Sequence, residues 1–352
     1  MMTRKRILFV DDEAAILASL SNLLRKDRHR WDLVFAAGGP EAARHIERER
    51  FDVIITDMRM PDLDGAELLA LVKARWPSTA RIMLSGHAES DAVMRALPLV
   101  HQFISKPCDV KTLRGVIERC CADTGVGPDR SIAATIGNLP RLPSLPSAYE
   151  EMRVALANPR CTTPQLVAII ERDPALAAKT LHVANTSYFG TGQAVCSIPA
   201  AFATVGVEMM RQLVESSMIE PMLDPPAGFS IAEVCESSVR CAQLARRAVS
   251  DPKLAEEAYA AGLLHDLGRF VLAVELGERY GRVLETVART GRPLYEVEQE
   301  LINITHADVG AHLLTMWALP PTLIEAVAQH HAPRALPGTV HALVAAVQAS
   351  AC

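Results

Sequence analysis

The segment 53-VIITDMRMPDLDG-65 runs from a short apolar stretch directly into a group of acidic residues. Apolar stretches and helical patterns alternate around it: the stretches lie at 6–10, 32–36, 53–56, 81–85 and 102–105, and the helical patterns near 14–26, 40–49, 64–76, 90–96 and 109–121. Strands that alternate with helices predict βαβ units and a parallel sheet. The stretches are apolar on both faces, which is typical of a sheet covered on both sides. We expect a multidomain chain that begins with an α/β domain on a five-stranded parallel sheet.

Polar side chains stand at the ends of four of these predicted strands. Asp11 and Asp12 follow the first strand, Asp57 the third and Lys106 the fifth, while Ser85 ends the fourth. Ligands of an open parallel sheet bind beyond the carboxyl ends of the strands, so we expect these side chains to meet there. Neighbouring carboxylates favour a hard cation such as Mg²⁺. A carboxylate beside Mg²⁺ can attack a phosphoryl group, with Lys106 and Ser85 holding the phosphoryl oxygens.

Four motifs extend this pattern: 8-LFVDDE-13, 55-ITDMRMPDLDG-65, 83-MLSG-86 and 103-FISKP-107. Together they make residues 1–122 resemble the receiver domain of bacterial two-component response regulators. The resemblance implies a flavodoxin-like (βα)5 fold. It also implies that Asp57 accepts a phosphoryl group from a histidine kinase in a phosphorelay.

The same resemblance implies roles for the surrounding residues. Mg²⁺ would be bound by Asp11, Asp12, Asp57 and the backbone carbonyl of Arg59. Lys106 matches the lysine of the family, and Ser85 and Phe103 match the residues that switch on phosphorylation. The Lys106–Pro107 peptide bond is expected to be cis, as it usually is in the family.

Beyond residue 122 the strand pattern nearly disappears. The segment 123-DTGVGPDRSIAAT-135 is rich in Gly, Pro, Ser and Asp, which indicates a linker. After it, apolar residues recur at helical spacing in one segment after another, for example over 197–218 and 253–275. We therefore expect a receiver domain over 1–122, a linker over 123–136 and an all-α domain over 137–352.

The helical part contains a second set of motifs: 139-LPRLPSLP-146, 171-ERDPALAAKTLHVANTSYFG-190, 262-GLLHDLGRF-270 and 306-HADVGAHLLTMWALP-320. These motifs resemble, in order, the HDOD domain. That family is a relative of the HD phosphohydrolases, which include cyclic di-GMP phosphodiesterases. The resemblance implies a signalling module that has lost much of the catalytic set and binds a downstream signalling protein, with a connection to cyclic di-GMP signalling.

An HD site needs imidazoles and carboxylates from several helices to meet at one or two metals. The residual set here is His265, Asp266, His306, His330 and His331. Two positions depart from the pattern, because Ser237 stands where a histidine is expected and Gln348 lies nearest to an expected aspartate. Both are weak ligands for a transition metal, which argues against two-metal hydrolysis. Three alternatives stay open: the residual side chains pair with one another, they hold a single iron or zinc ion below full occupancy, or they hydrolyse a phosphodiester.

Composition narrows the remaining classes of function. The formal net charge is −5 and no long basic run is present, which argues against direct binding of nucleic acid. The eight cysteines form no CxxC pair, as expected for reduced thiols. The N-terminal apolar run is too short for a signal peptide, and no segment approaches about 18 uninterrupted apolar residues. We expect a cytoplasmic protein that does not associate with membranes.

The sequence therefore predicts a response regulator whose helical output domain acts through protein–protein interaction and not through catalysis. A histidine kinase and a downstream signalling protein are the expected partners, and a homodimer is a candidate assembly. The rival interpretation is a metal-dependent phosphohydrolase of the HD superfamily gated by the receiver, or a single-metal sensor of a ligand or redox state.

Overall fold

The computed structural model describes residues 4–86, 95–121, 142–186, 194–215, 219–222, 224–331 and 338–351. The chain divides into two compact units, an N-terminal α/β unit and a C-terminal helical unit. The predicted helix 90–96 lies largely outside the described residues, and the predicted linker 123–136 lies wholly outside them. Within the described part of the chain, no helix has both the length and the apolar character needed to cross a bilayer.

The α/β unit is built on a parallel sheet with the strand order β2-β1-β3-β4-β5. Its strands are β1 (Lys5–Asp11), β2 (Trp31–Ala37), β3 (Val53–Asp57), β4 (Ala80–Ser85) and β5 (Gln102–Ser105). Its described helices are α1 (Ala14–Leu23), α2 (Gly39–Arg48), α3 (Gly65–Arg75) and α4 (Val110–Cys121). The prediction of a five-stranded parallel sheet is confirmed. The first helix is shorter than predicted, since a 3-10 turn replaces its last residues.

The sheet is buried on both faces. One layer of fully buried strand residues packs with Leu113 and Ile117 of α4; it includes Ile7, Phe9, Val53, Ile55 and Ile82. The alternate strand residues are buried as well; they include Leu8, Val10, Ile54 and Met83. Because successive side chains of a strand point to opposite faces, this pattern places apolar material on both sides of the sheet. Each such side chain contributes about 1.5–3 kcal/mol on full burial.

The carboxyl edge of the sheet carries the predicted polar residues. Asp11, Asp57 and Ser85 are the last residues of β1, β3 and β4. Helix α3 then begins with a capping box, in which Asp64 accepts from the Glu67 amide (2.8 Å) and Glu67 accepts from the Asp64 amide (3.0 Å).

Gly65, at the start of α3, packs directly on the end of β3. Its amide donates to the Met58 carbonyl at 3.0 Å, and a Cβ at this position would collide with the Asp57 carbonyl oxygen. Only a glycine allows this approach, so the sequence after Asp57 fixes the backbone that presents its carboxylate.

The helical unit contains twelve described helices: α5 (Pro146–Ala157), α6 (Thr163–Ile170), α7 (Pro174–Asn185), α8 (Ile198–Glu215), α9 (Ile231–Ala248), α10 (Pro252–Leu264), α11 (Leu267–Leu276), α12 (Glu278–Thr290), α13 (Leu294–Ile302), α14 (His306–Met316), α15 (Pro321–Gln329) and α16 (Gly338–Ala351). The unit is not purely α-helical as predicted, because β6 (Leu142–Ser144) pairs in parallel with β7 (Ile219–Pro221). β6 lies within the Leu-Pro-rich start of the domain, where Pro and Leu gave no alternating strand pattern.

Asp173 connects β6 to α7 and is fully buried. Its Oδ2 accepts hydrogen bonds from Ser144 Oγ (2.7 Å) and the Leu145 amide (2.8 Å). Its Oδ1 accepts from the amides of Ala175 (2.8 Å) and Leu176 (2.9 Å) at the start of α7. Burial raises the Asp173 pKa despite these four donors. The residue therefore caps α7 and holds β6 with one carboxylate.

Two predicted helices are interrupted in the structure. Helix α8, within the predicted segment 197–218, is kinked at Gly206. The φ of 77° and ψ of 168° at this residue lie outside the helical range. The segment 253–275 is two helices, α10 and α11, and His265 and Asp266 form the junction between them. We expected this pair inside one helix. Asp266 has φ −95° and ψ 9°, and its carboxylate contacts both Arg269 of α11 and His306 of α14.

Candidate functional site

Three carboxylates converge at the carboxyl edge of the sheet, and we call Asp11, Asp12 and Asp57 the acid cluster. Each offers an oxygen, and these oxygens all lie within 4.8 Å of one another. Lys106 Nζ lies 2.6 Å from Asp57 Oδ1 and 2.9 Å from Asp11 Oδ2. The three carboxylates and one ammonium leave a net charge of −2 at this point, which suits a divalent cation with oxygen ligands.

Backbone groups hold the acid cluster in place. Asp11 Oδ1 accepts from the Glu13 amide (2.9 Å), and Asp57 Oδ2 accepts from the Arg59 amide (3.2 Å). The Lys106 amide donates to the Ser85 carbonyl (2.8 Å), which anchors the start of the predicted cis peptide bond. The Lys106–Pro107 bond is cis, and that prediction is confirmed.

Burial and charge act against each other at this site. Burial raises the Asp57 pKa above its ordinary value, although Lys106 favours the carboxylate. Burial disfavours the Lys106 cation, but Asp57 and Asp11 outweigh it and raise the Lys106 pKa. At neutral pH the site therefore holds a charged lysine beside a carboxylate that is only partly exposed.

Ser85 and Phe103 are both buried. The Ser85 hydroxyl donates to the Gly86 carbonyl at 3.2 Å. In the pairing of β4 with β5, Ser85 is opposite Ser105, and Phe103 is opposite Met83. Phe103 therefore lies two positions before the level of Ser85 on the neighbouring strand.

The helical unit contains a second convergence, and we call His265, Asp266, His306, His330 and His331 the histidine cluster. His265 and Asp266 form the junction of α10 and α11, His306 begins α14, and the other two follow α15. Gly268 in α11 lies against the His306 backbone, where an added Cβ would collide with the His306 carbonyl oxygen. The structure thus brings together all five residues of the predicted set.

Nitrogen and oxygen atoms of the histidine cluster face one another at short range. His306 Nε2 lies 2.8 Å from His331 Nε2, 3.3 Å from His330 Nε2 and 3.3 Å from Asp266 Oδ1. Asp266 Oδ1 is also 3.7 Å from His265 Nε2 and 3.9 Å from His330 Nε2. Two nitrogens that bind one ion at right angles, at about 2.1 Å each, lie about 3 Å apart. The cluster has nearly this spacing.

Backbone carbonyls fix the protonation of two of the rings. His265 Nδ1 lies 2.7 Å from the Gly262 carbonyl oxygen, and His330 Nδ1 lies 2.7 Å from the Val327 carbonyl oxygen. A carbonyl oxygen only accepts, so Nδ1 of each ring carries the hydrogen. The Nε2 atom of each ring therefore faces the cluster, His265 Nε2 towards Asp266 and His330 Nε2 towards His306.

The buried carboxylate of Glu298, which was not predicted from the sequence, binds the Nδ1 side of the His306 ring. Glu298 Oε2 accepts from His306 Nδ1 (2.6 Å) and from the His306 amide (2.9 Å), and Glu298 Oε1 accepts from the Tyr280 hydroxyl (2.9 Å). Burial disfavours a charged His306, but Glu298 outweighs it and raises the His306 pKa. Carboxylate partners of this kind orient histidine ligands of metals.

His330 and His331 are neutral at neutral pH. Burial, with the neighbouring imidazoles, lowers the pKa of His331 to about 4 and that of His330 well below the ordinary value. The Tyr295 ring stacks on His331, with 4.6 Å between the ring centroids. Neutral rings can bind a metal. In its absence, a proton on His306 or His331 removes the repulsion between two lone pairs 2.8 Å apart.

The two departures from the HD pattern lie outside these contacts. Ser237 and Gln348 are half-buried, and no hydrogen bond among the described residues joins either to the histidine cluster. The neighbouring Ser238 is fully buried, and its hydroxyl has no hydrogen-bond partner among the described residues. Helices α9 and α10 are antiparallel, with Ala242 beside Gly262, so Ser238 lies at the level of Asp266.

Comparisons with known proteins match both units. The model of the response regulator receiver domain matches residues 7–118, and that of the HDOD domain matches residues 142–333. An uncharacterized protein of Treponema pallidum is 28% identical over 204 residues, which are 57% of this chain and 40% of its own length.

Two further relatives are named response regulators. The response regulator protein PilR of Pseudomonas aeruginosa is 34% identical over 117 residues, which are 33% of this chain and 26% of its own length. A crystal structure of the MmoQ response regulator from Methylococcus capsulatus is 27% identical, with a TM-score of 0.46, and the match covers 53% of this chain and 77% of that one. The chain spans less than half the length of the curated relatives named here.

The HDOD model covers more than half of the chain, and the receiver model accounts for the acid cluster at the edge of the sheet. This protein therefore belongs to the HDOD family and is a response regulator, with a receiver domain followed by an HDOD domain.

Proposed function

We propose that Asp57 is the phosphoacceptor of this response regulator and that a histidine kinase supplies the phosphoryl group. The observation that carries the proposal is the contact of Lys106 Nζ with both Asp57 and Asp11, beside the exposed Asp12. In the transfer, an Asp57 oxygen forms a bond to phosphorus, the bond from phosphorus to the kinase imidazole breaks, and that imidazole nitrogen keeps the electron pair and takes up a proton. The product is an aspartyl phosphate.

The acid cluster fits Mg²⁺ by the chemistry of its donors. Asp11, Asp12, Asp57 and the Arg59 carbonyl would hold it, and all are the hard oxygen donors that Mg²⁺ prefers. When bound, Mg²⁺ would neutralise charge between the cluster and the incoming phosphoryl group. Lys106 would exchange its Asp57 contact for a phosphoryl oxygen, and the Ser85 hydroxyl would donate to another.

Phosphorylation adds about two negative charges and three acceptor oxygens at Asp57. We propose that Ser85 leaves its contact with the Gly86 carbonyl to reach the phosphoryl group, and that Phe103 moves with it. The receiver domain over 1–122 would then act through the linker over 123–136 on the output domain over 137–352. That domain would bind a downstream signalling protein, and cyclic di-GMP signalling is the pathway to test first.

Labelling with acetyl phosphate and Mg²⁺, and then with a histidine kinase, tests the assignment. Asp57→Ala should lose all label. Asp62→Asn is a matched control, since Asp62 is a nearby acid with φ 66°, a conformation that Asn tolerates, and it should keep the label. Label that persists in Asp57→Ala at the unmutated level would contradict the proposal.

A second candidate function is a sensor that holds one iron or zinc ion in the histidine cluster. The ligand atoms of His306, His330 and His331 all lie within 4.8 Å of one another, and Nδ1 of His306 and of His330 is already engaged, which favours such a site. Such an ion would bind to His265, Asp266, His306, His330 and His331. Elemental analysis of the purified chain tests it: about one ion per chain supports the sensor, and none supports an output domain that acts by binding alone. Turnover of a cyclic dinucleotide that disappears in His265→Ala would instead establish a hydrolase.

A further inference from the structure

Helix α9 presents an exposed ridge of side chains to solvent. Its opposite face is buried: Gly262 of α10 packs against Ala242, and the Cys241 thiol donates to the Val347 carbonyl of α16 at 3.6 Å. The ridge follows positions four residues apart, which lie on one face of a helix. We call the following four exposed residues the α9 ridge: Ala232, Glu236, Arg240 and Leu244.

The two charges of the α9 ridge are available to a partner. Glu236 and Arg240 stand about one helical turn apart, and both are exposed. Within the described part of the chain, neither forms a hydrogen bond or an ion pair. A carboxylate and a guanidinium that are both unpaired on one face favour a partner that offers the opposite charge at each position.

A cavity of about 480 Å³ lies beside the α9 ridge, between α5 and α9. Leu145, Ala148 and Val239 give it an apolar lining, together with the first three residues of the ridge. Elsewhere on its wall, Arg172 donates to both carboxylate oxygens of Glu151, at 2.8 Å each, so these two charges compensate each other. The cavity therefore has space for an apolar side chain next to the ridge.

The order of residues along the α9 ridge is self-complementary for two antiparallel copies. Glu236 and Arg240 lie two residues on either side of Ser238. The outer pair, Ala232 and Leu244, lies six residues on either side of it. A two-fold axis at the level of Ser238 therefore places Glu236 opposite the partner's Arg240, and it places Ala232 opposite the partner's Leu244. A parallel arrangement would instead bring like charges together.

The sizes of the outer residues agree with the same arrangement. Leu244 is a large apolar side chain that is 43% exposed. Opposite the small Ala232, and beside the cavity, the partner's Leu244 has room to bury this surface. Helices that pack through ridges of residues four apart cross at about 50°, so the contact is confined to a few turns, as the α9 ridge is.

We propose that the α9 ridge is the interface of a homodimer, in which two reciprocal ion pairs join Glu236 of each protomer to Arg240 of the other. The occupant of this surface is thus a second copy of the chain. The proposal does not depend on phosphorylation of Asp57 or on a metal in the histidine cluster, since neither cluster contributes a residue to the ridge.

Sedimentation equilibrium of the full, unphosphorylated chain tests the interface. Glu236→Arg and Arg240→Glu each turn both ion pairs into like-charge contacts, so we expect the dimer dissociation constant to rise about tenfold or more. The double variant exchanges the two charges and should dimerise as the unmutated chain does. Arg289→Glu, an exposed charge reversal on α12, is the matched control and should leave the dissociation constant unchanged.

Mixing the two single variants gives the most specific result. Each variant alone opposes like charges, but a mixed pair forms both ion pairs, so an equimolar mixture should form heterodimers. Native mass spectrometry identifies them when one variant is labelled with nitrogen-15, and circular dichroism confirms that each variant is folded.

Three outcomes would overturn the proposal. The first is an unmutated chain that is monomeric at every concentration, which would leave the ridge to a different protein. The second is a dimer that both single variants leave intact, which would place the interface elsewhere. The third is a pair of folded single variants that do not associate when they are mixed.

Discussion

The acid cluster and the histidine cluster each bring several potential ligands to one point, but they do so in opposite ways. The acid cluster uses oxygen atoms at the open edge of a sheet, where Asp12 is exposed and the Asp57 side chain is 13% exposed. The histidine cluster uses mostly nitrogen atoms, and His265, His306 and His330 are at most 3% exposed. The first suits a cation and a phosphodonor that come and go, and the second suits an ion that stays.

The residues that hold the potential ligands in place also differ between the two clusters. Asp57 and Asp11 share a lysine that is half-buried and can move to a new anion. In the histidine cluster, His306 is held by the fully buried Glu298, and Asp266 by Arg269. Under the proposed functions, the lysine of the acid cluster would move to a phosphoryl group, whereas the residues around the histidine cluster would hold its ligands in place for a bound ion.

The sharpest test of this contrast is to remove one site and measure the other. His306→Ala deletes the central ligand, so we expect loss of essentially all tightly bound iron or zinc. Phosphorylation of Asp57 should stay within about twofold, because the acid cluster shares no residue with the histidine cluster. Elemental analysis and acetyl-phosphate labelling of the same preparation measure both. Metal content that is unchanged in His306→Ala would show that the histidine cluster is not where the metal binds.

Gly268→Ala should be strongly destabilising, because Gly268 of α11 packs against the backbone of His306. The new Cβ would meet the His306 carbonyl oxygen, and such overpacking costs about 1–3 kcal/mol or more. Gly115→Ala in α4 is the matched control, since its Cβ would meet only the flexible Arg119 side chain at 3.4 Å, and it should be neutral or stabilising. Urea denaturation compares the two. A Gly268→Ala protein as stable as the control would show that α11 and α14 separate easily.

Glu298→Gln keeps the size of the side chain and removes its charge. We expect metal affinity to fall about 10–100-fold, as it does when a carboxylate partner of a histidine ligand is lost. Competition with a chromogenic chelator measures the change. Glu296→Gln, an exposed position on the same helix, should leave the affinity unchanged. An equal effect of both variants would deny Glu298 its positioning role.

The smallest effect is expected at Asp12. Asp12→Ala should weaken Mg²⁺ binding about tenfold, since one of three like charges near the cation is lost. Isothermal titration in low salt gives the affinity, and the zinc content of the histidine cluster serves as the internal reference. An unchanged Mg²⁺ titration would place the cation elsewhere.

The receiver site could be predicted almost completely because its residues are local to strand ends. Asp11, Asp57 and Ser85 each end a short apolar run, and a parallel sheet necessarily brings those ends to one edge. The same reasoning gave the strand boundaries. Burial on both faces left a strong apolar signal, with few alternatives for each segment.

The helical site was predicted only in part, for physical reasons. The histidines could be named from motifs, but Glu298 meets His306 through a turn between two helices, which periodicity does not reveal. The ion pair between Arg269 and Asp266 could have been predicted, since Arg269 follows Asp266 at i+3. The junction at His265–Asp266 was missed, because apolar residues continue at helical spacing across it and give no signal of a break.

The pairing of β6 with β7 has a mechanical consequence. A pull on the chain at Leu142 acts along the strand, so the hydrogen bonds to β7 are loaded in shear together and do not open one by one. Behind them, Ser144 and Leu145 are tied to Asp173, which caps α7. Tension applied to the chain before residue 142 is therefore transmitted to the first turn of α7, which is buried. Force spectroscopy of the full chain should show a resisting element here, which Asp173→Ala would soften.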